Sequence, residues 1–325
     1  MNFLGKLKSQ WFSLAMFVLF FLAWAWPKGP DILSTGGWLK ILAIAVIFFL
    51  TGLSMRTEEI LHGFSNWKLH FYIQGFSYIF MPLLCWIALA LAGDHLNEGL
   101  AAGFTILAVL PITITSCVVL TQLAGGNSAG ALFNAVLGNL MGIVLTPALF
   151  LLLLGASEMQ IELDTVKIIT KLGLLVVSPL IVGQIVHLFF REKTRQFKKI
   201  ASLVNRWCIL LIVYMAFGKI FTGDAEGIST AGVIIPLVMI IPVHLLILWF
   251  AFAGGKICGF KREDLIAIVF CAPQKTLAMG LPLLAAILAT RPDLEGLASL
   301  PVIIYHPTQL LIAGYLEGRF RNFRK

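Results

Sequence analysis

Apolar runs of membrane-spanning length follow one another along the chain at roughly 11–26, 37–55, 69–92, 99–122, 128–154, 165–190, 201–221, 230–254, 264–290 and 297–317. About 20 apolar residues at 1.5 Å rise per residue cross the hydrocarbon of a bilayer. The pattern therefore predicts ten spanning helices. Trp11, Trp24, Trp26, Trp38, Trp67 and Trp207 fall near predicted ends, where interfacial aromatics belong. The first run follows Lys6 and Lys8, as the core of a signal peptide would. It is long, however, and Pro27-Lys28-Gly29-Pro30 after it lacks a small-x-small cleavage pattern, so it reads as the first span.

Composition agrees. With 59% hydrophobic and only 12% charged residues in 325 positions, an ordinary soluble domain is excluded and the class is an all-α polytopic membrane protein. A net charge of +8 in so apolar a chain marks loops facing anionic lipid rather than a nucleic-acid partner. Of the 24 Lys and Arg, 17 fall before span 1, in the 2–3, 6–7 and 8–9 loops, or after span 10. All of these lie on one side if there are ten spans, so the positive-inside rule expects both termini in the cytoplasm. The expected location is the plasma (inner) membrane. Cys85, Cys117, Cys208, Cys258 and Cys271 show no CxxC or Cys/His ligand spacing, which argues against a structural disulfide or zinc site. Cys117 and Cys271 lie close to broken stretches. They are read as small apolar packing, with a functional role as the competing reading.

The chain repeats internally. Phe80-Met81-Pro82-Leu83-Leu84 resembles Ile240-Ile241-Pro242-Val243-His244, Pro111 corresponds to Pro273 and Pro147 to Pro307, at offsets of 160, 162 and 160. Three prolines in the same order predict a five-plus-five inverted repeat, because five spans reverse the entry side of the second half. Repeat one covers about 11–154 and repeat two about 165–317, in one transmembrane unit over 1–325 with a basic cytoplasmic linker at about 191–206.

Two stretches carry the chemistry. In span 9, Phe270-Cys271-Ala272-Pro273-Gln274-Lys275-Thr276 sets a lysine near mid-membrane beside a proline; in span 4, Pro111 precedes Thr113, Thr115, Ser116 and Cys117. Proline removes a backbone donor, and an unwound helix offers free carbonyls to cations and half-helix N-termini to anions. The plainer alternative is that the hydroxyls satisfy carbonyls freed by proline. All sixteen Asp and Glu lie in predicted loops or at span ends, so none readily neutralises Lys275. Its ammonium must lose its proton, bind carbonyl oxygens or meet a negative ligand, and its central position disfavours snorkelling to an interface. Gln74 and Ser77 on span 3, Asn134 and Asn139 on span 5, and Tyr305, His306, Thr308 and Gln309 on span 10 are supporting candidates. Asn139 sits in Gly138-Asn139-Leu140-Met141-Gly142, a spacing that equally permits close helix packing. His244 is read as an ordinary interhelical partner. No Ser/His/Asp set, metal-ligand spacing or paired mid-depth carboxylates suggest an enzyme, and no cofactor is expected.

Phe49-Leu50-Thr51-Gly52-Leu53-Ser54-Met55 before a short amphipathic connection, Met81-Pro82-Leu83-Leu84, Pro111 through Val118, Leu145-Thr146-Pro147 and Pro273 through Gly280 resemble the bile acid:sodium symporter family, nearest its divergent SBF-like branch. The resemblance covers nearly the whole chain. It implies a panel and a core domain, with spans 4 and 9 unwound and crossing at mid-membrane. It also implies departures: the glutamate of sodium-coupled members corresponds to Phe270, their span 4 Ser-Asn to Ser116-Cys117, their span 9 Gln-Asn-Ser to Gln274-Lys275-Thr276, and their span 3 glutamine to Ser77. Sodium sites built on that carboxylate are then degraded, and an ammonium among former sodium ligands stands in for the cation. The expectation is a secondary transporter of a small organic anion in contact with membrane lipid, with Na+ or H+ as candidate coupling ions. Lys275 is the main electrostatic determinant; Gln274, Thr276, Thr113, Thr115 and Ser116 supply hydrogen bonds, and Asn139, Gln74 and His306 come second. The rivals are a cation/proton antiporter and a membrane regulator that binds without transporting.

Overall fold

The computed structural model describes residues 11–34, 36–54, 66–93, 96–156, 170–221 and 230–322, and the elements among them are helical. In chain order they are α1 (Trp11–Ala25), α2 (Lys28–Ser34), α3 (Trp38–Ser54), α4 (Trp67–Ala92), α5 (Glu98–Val109), α6 (Ile114–Leu123), α7 (Ser128–Ala156), α8 (Thr170–Phe189), α9 (Arg191–Phe221), α10 (Thr230–Ile257), α11 (Arg262–Cys271), α12 (Leu277–Ile287) and α13 (Pro292–Asn322). Helices α4, α7, α8, α9, α10 and α13 are long and apolar enough to cross a membrane, and α5 with α6 passes the same test as a pair bent by 55°. Helices satisfy every interior backbone group internally, which lipid demands.

Local signals end these helices where the sequence suggests. The Asn97 side chain caps α5 by accepting the Gly99 N–H, and Asn127 caps α7 by accepting that of Gly130. After α6 and α10 the chain reverses at Gly125 (φ 75°) and Gly259 (φ 74°), left-handed positions that favour glycine.

Proline acts in two ways. Ahead of Pro82 and of Pro179 the helix widens into a single π-turn, Phe76–Phe80 in α4 and Gly173–Val177 in α8. By contrast α7 and α13 run unbroken through Pro147 and Pro307, so the third repeated proline pair leaves no break. The basic segment at 191–206 forms the first half of α9. There Arg206 lies 5.8 Å over the Trp11 ring. Lys6, Lys8 and the connection after Ser54 lie outside the described residues.

The chain forms two compact units interleaved in sequence: unit 1 is Met1–Met55, Leu163–Ile228 and Leu281–Ser299, and unit 2 is Arg56–Glu162, Ser229–Gly280 and Leu300–Lys325. Within unit 1, α3 and α8 pack backbone to backbone. A Cβ on Gly52 would strike the Leu180 carbonyl, and one on Gly183 the Phe49 carbonyl. Reciprocal glycines of this kind drive association where lipid removes the hydrophobic incentive. Phe20 of α1 meets Phe217 and Phe221 of α9 edge-on at 5.2 and 5.3 Å. The Glu295 carboxylate, only 5% exposed, accepts from Lys40 and, at 3.0 Å, from Lys219. The sequence places Glu295 at a span end; it lies in the buried first turn of α13.

Within unit 2, Tyr72 of α4 donates to the Ala251 carbonyl of α10 at 3.0 Å, and Phe76 and Phe80 stack at 4.7 Å. Between α4 and α7 runs a polar seam in which Gln74 Nε2 donates to the Asn134 carbonyl at 2.8 Å and Asn134 Nδ2 meets His70 Nδ1 at 2.8 Å. That seam engages the Gln74 amide nitrogen, while its buried Oε1 has no hydrogen-bond partner.

Candidate functional site

Unit 2 holds both breaks. Pro111 stops α5, leaving Leu110 extended (φ −64°, ψ 149°) before α6 resumes at Ile114. In span 9, α11 ends at Cys271, Ala272–Thr276 are non-helical, and α12 begins at Leu277. A buried carbonyl without a donor costs about 1–3 kcal/mol, so the freed groups need partners. Four successive carbonyls at the first break have them. Val109 accepts Thr146 Oγ1 at 2.8 Å, Leu110 accepts Lys275 Nζ at 2.8 Å, Pro111 accepts the Thr276 N–H at 2.9 Å, and Ile112 accepts Asn139 Nδ2 at 2.7 Å. Two of those four donors come from the other break. The stretches thus meet directly, through a backbone bond and through a lysine.

The second break is held from α13. The Pro273 carbonyl accepts Tyr305 Oη at 2.7 Å, and the Lys275 peptide pairs with the Gln309 amide. Tyr305 also contacts His244 Nδ1 at 2.8 Å, and Gln309 contacts His306 Nδ1 at 3.1 Å. His244 is therefore a buried interhelical partner, as expected, and His306 lies beside Gln309.

Lys275 is 1% exposed. Its ammonium donates to the Ser77 carbonyl at 3.1 Å, to Ser77 Oγ at 3.0 Å and to the Leu110 carbonyl, and it lies 5.9 Å above the Tyr78 ring. The Ser77 carbonyl is available for a sequence-level reason. In the π-turn Met81 N–H reaches back five residues to Phe76; by the same step Pro82 would serve Ser77, but proline has no N–H to give. Proline thus frees both backbone oxygens that hold the lysine. Three neutral oxygens around one monovalent charge are the kind of ligand a hard cation takes.

Gln274, also 1% exposed, fixes its carbonyl oxygen on Thr113 Oγ1 and Ser116 Oγ, both at 3.0 Å, and on Cys117 Sγ at 3.4 Å. Its Nε2 has no hydrogen-bond partner. Thr113 thereby spends its hydroxyl away from the α6 N-terminus, which it does not cap. Phe270 is fully buried in an apolar cluster with Ala124, Ile266 and Ala313, flanked by Leu120, Leu316 and Phe320.

The structure therefore joins Lys275, Gln274, Thr276, Thr113, Ser116 and Asn139 around Pro111 and Pro273. Thr115 is exposed on the far side of α6 and does not join them, because three helical positions separate facing residues and Ser116 already takes the inward place. Ser77, Tyr305 and Gln309, which the sequence marks only as supporting, touch the breaks directly. Tyr78 carries no sequence signal beyond being polar at mid-depth, and Thr146 is marked only as part of Leu145-Thr146-Pro147. Tyr78 anchors its turn by donating to the Gly138 carbonyl at 2.5 Å.

Two broken helices, one supplying donors to the carbonyls freed in the other, among several helices long and apolar enough to span a bilayer, mark a polytopic helical membrane protein. The chain belongs to the SBF-like CPA transporter family, which matches residues 10–322. It is 34% identical to sodium/bile acid cotransporter 7-B of Xenopus laevis over 332 residues, covering 99% of this chain and 95% of that protein. The rat sodium/bile acid cotransporter 7 is likewise 34% identical, over 99% of this chain and 96% of its own. An uncharacterized Pseudomonas aeruginosa protein is 30% identical over 96% of this chain and 93% of its own.

Proposed function

We propose that this protein is a secondary transporter of an organic anion, working by alternating access, in which the Lys275 ammonium takes the place of a coupling sodium. The observation that carries the reading is the lysine's binding to the Ser77 carbonyl, Ser77 Oγ and the Leu110 carbonyl, a cation's ligands filled by a tethered charge. The names of the cotransporter 7 relatives supply the substrate class, a bile-acid-like amphipathic anion. The N-termini of α6 and α12 bring partial positive charge to the crossing, which suits that class. Phe270, standing where the resemblance places a glutamate, is sealed in hydrocarbon-like surroundings and offers a sodium ion nothing.

The architecture read with this function is ten spans in a five-plus-five inverted repeat, unit 1 as panel and unit 2 as core, in the plasma membrane with cytoplasmic termini. Contacts within each unit support the sidedness. Asp264 of the 8–9 loop accepts from Asn66 before span 3 and from Asn127 after span 4, joining segments assigned to the cytoplasm. Lys40, Lys219 and Glu295 join ends assigned to the opposite face.

A second reading, a cation/proton antiporter, is favoured by the same oxygen cage: a lysine that gives up its proton and withdraws leaves a site a cation can enter. Uptake of a labelled bile acid into proteoliposomes, with and without Na+ at fixed pH, tests the first. Uptake independent of Na+ is expected; strong sodium dependence overturns the lysine's assignment as its substitute. A pH-dye response to cation pulses without organic anion would instead select the antiporter.

A further inference from the structure

His306 and Gln309 lie one helical turn apart on α13, and their hydrogen bonds fix the histidine's protonation state. The Gln309 amide admits a single orientation, because its oxygen accepts the Lys275 N–H and its nitrogen donates to the Lys275 carbonyl, each at 2.8 Å. An amide nitrogen donates and does not accept. His306 Nδ1, 3.1 Å from that nitrogen, is therefore the acceptor of its second N–H, and the ring is neutral with its proton on Nε2. Gln309 is fully buried, whereas His306 is partly exposed.

We propose that His306 Nδ1 is a proton-binding site that releases the span 9 break, with H+ as the coupling ion. On binding, a proton from solvent takes the Nδ1 lone pair, the hydrogen bond from Gln309 breaks and the ring becomes an imidazolium; nothing is oxidised or reduced. Two donors then face each other 3.1 Å apart and must separate. Turning the amide over does not relieve them, since its nitrogen would meet the Lys275 N–H and its oxygen the Lys275 carbonyl. The protonated ring and the intact Gln309 clamp exclude one another.

The other titratable groups at this break are engaged differently. The Lys275 ammonium binds Ser77 and Leu110, and Cys271 closes α11 inside an apolar cluster. Tyr305 donates its one proton to the Pro273 carbonyl, so His244 Nδ1 donates to Tyr305. A proton arriving on His244 would take Nε2 and leave that bond intact. Of the two histidines, His306 is the one whose protonation must disturb the break.

The role in transport rests on the transporter reading above. The proton site does not, and its test reads the break itself: amide hydrogen exchange over residues 272–277 of the full-length protein in lipid nanodiscs, corrected for intrinsic rates. The two conditions are about pH 7.5 and about pH 5.5, either side of histidine's ordinary value of about 6.5. The intact clamp needs the neutral ring, so one proton linked to its release predicts exchange about tenfold faster at the lower pH. His306→Asn offers a side-chain oxygen near the Nδ1 position that does not titrate, and it should abolish the difference while keeping the wild-type melting temperature at neutral pH. Equal protection at both pH values in the wild type, a measurement that needs no variant, would overturn the site, as would a pH response that persists in His306→Asn. Uptake into proteoliposomes that ignores a pH gradient would overturn H+ as the coupling ion. Absent uptake with the exchange response retained would count against the transport reading and uphold the proton site.

Discussion

Gln309 holds both ends of the Lys275 peptide, its side-chain oxygen accepting the Lys275 N–H and its amide donating to the Lys275 carbonyl, each at 2.8 Å. The break in span 9 is thus shaped by a residue 34 positions away on α13. Gln309→Leu leaves two buried backbone groups unpaired and should cost about 2–5 kcal/mol. The expected result is a melting temperature lower by several degrees in detergent. A variant melting within a degree of the wild type would strip the clamp of structural weight.

Lys275→Met removes the charge while keeping most of the side chain's volume. Transport should be abolished, while gel filtration and helix content remain those of the wild type. Normal uptake would reduce the lysine to a structural donor.

Lys275→Ala carries the converse expectation. With the tether gone, the Ser77 and Leu110 oxygens form an open cage, and Na+ should raise the melting temperature of this variant but not of the wild type. Equal responses of the two proteins to Na+ and to choline would show that the cage has no affinity for the metal ion.

Pro82→Ala restores an N–H to the turn after Phe76–Phe80. That N–H can claim the carbonyl Lys275 now uses, so uptake should fall severalfold while thermal stability holds or rises, since a mid-helix proline is costly. Unaltered uptake with a retained π-turn would count against proline as the source of the lysine's ligand.

Gly183→Val tests unit 1. Its side chain would enter the Phe49 backbone, and overpacking costs about 1–3 kcal/mol, more where backbone must move. The yield of monodisperse protein should drop sharply, whereas Gly314→Val, with nothing near its Cβ, should express normally.

Much of this was readable along the chain, for reasons that differ by residue. Runs of apolar residues announce helices because lipid permits little else, and Pro111 and Pro273 announce breaks because each also stands among polar neighbours. Pro147 and Pro307 look the same in sequence and break nothing, since whether proline interrupts a helix depends on which neighbours take up the freed carbonyls. Lys275 was conspicuous by charge and depth. Two of its three oxygen ligands were not, because they are the backbone carbonyls of Ser77 and Leu110, and a carbonyl has no letter in the sequence. Thr115 misled for the opposite reason: it has the right chemistry one helical position away from the right face.

The ion pair between Lys40 and Glu295 also bears on how the protein is made. At a synthesis rate of about 5–20 residues per second, the 255 positions between them mean that Lys40 leaves the ribosome roughly 13–50 s before its carboxylate exists. Unit 1 is assembled from three separated stretches, the last being Leu281–Ser299. Its early helices must therefore be held, by lipid or by the insertion machinery, as an unfinished assembly until translation is almost over.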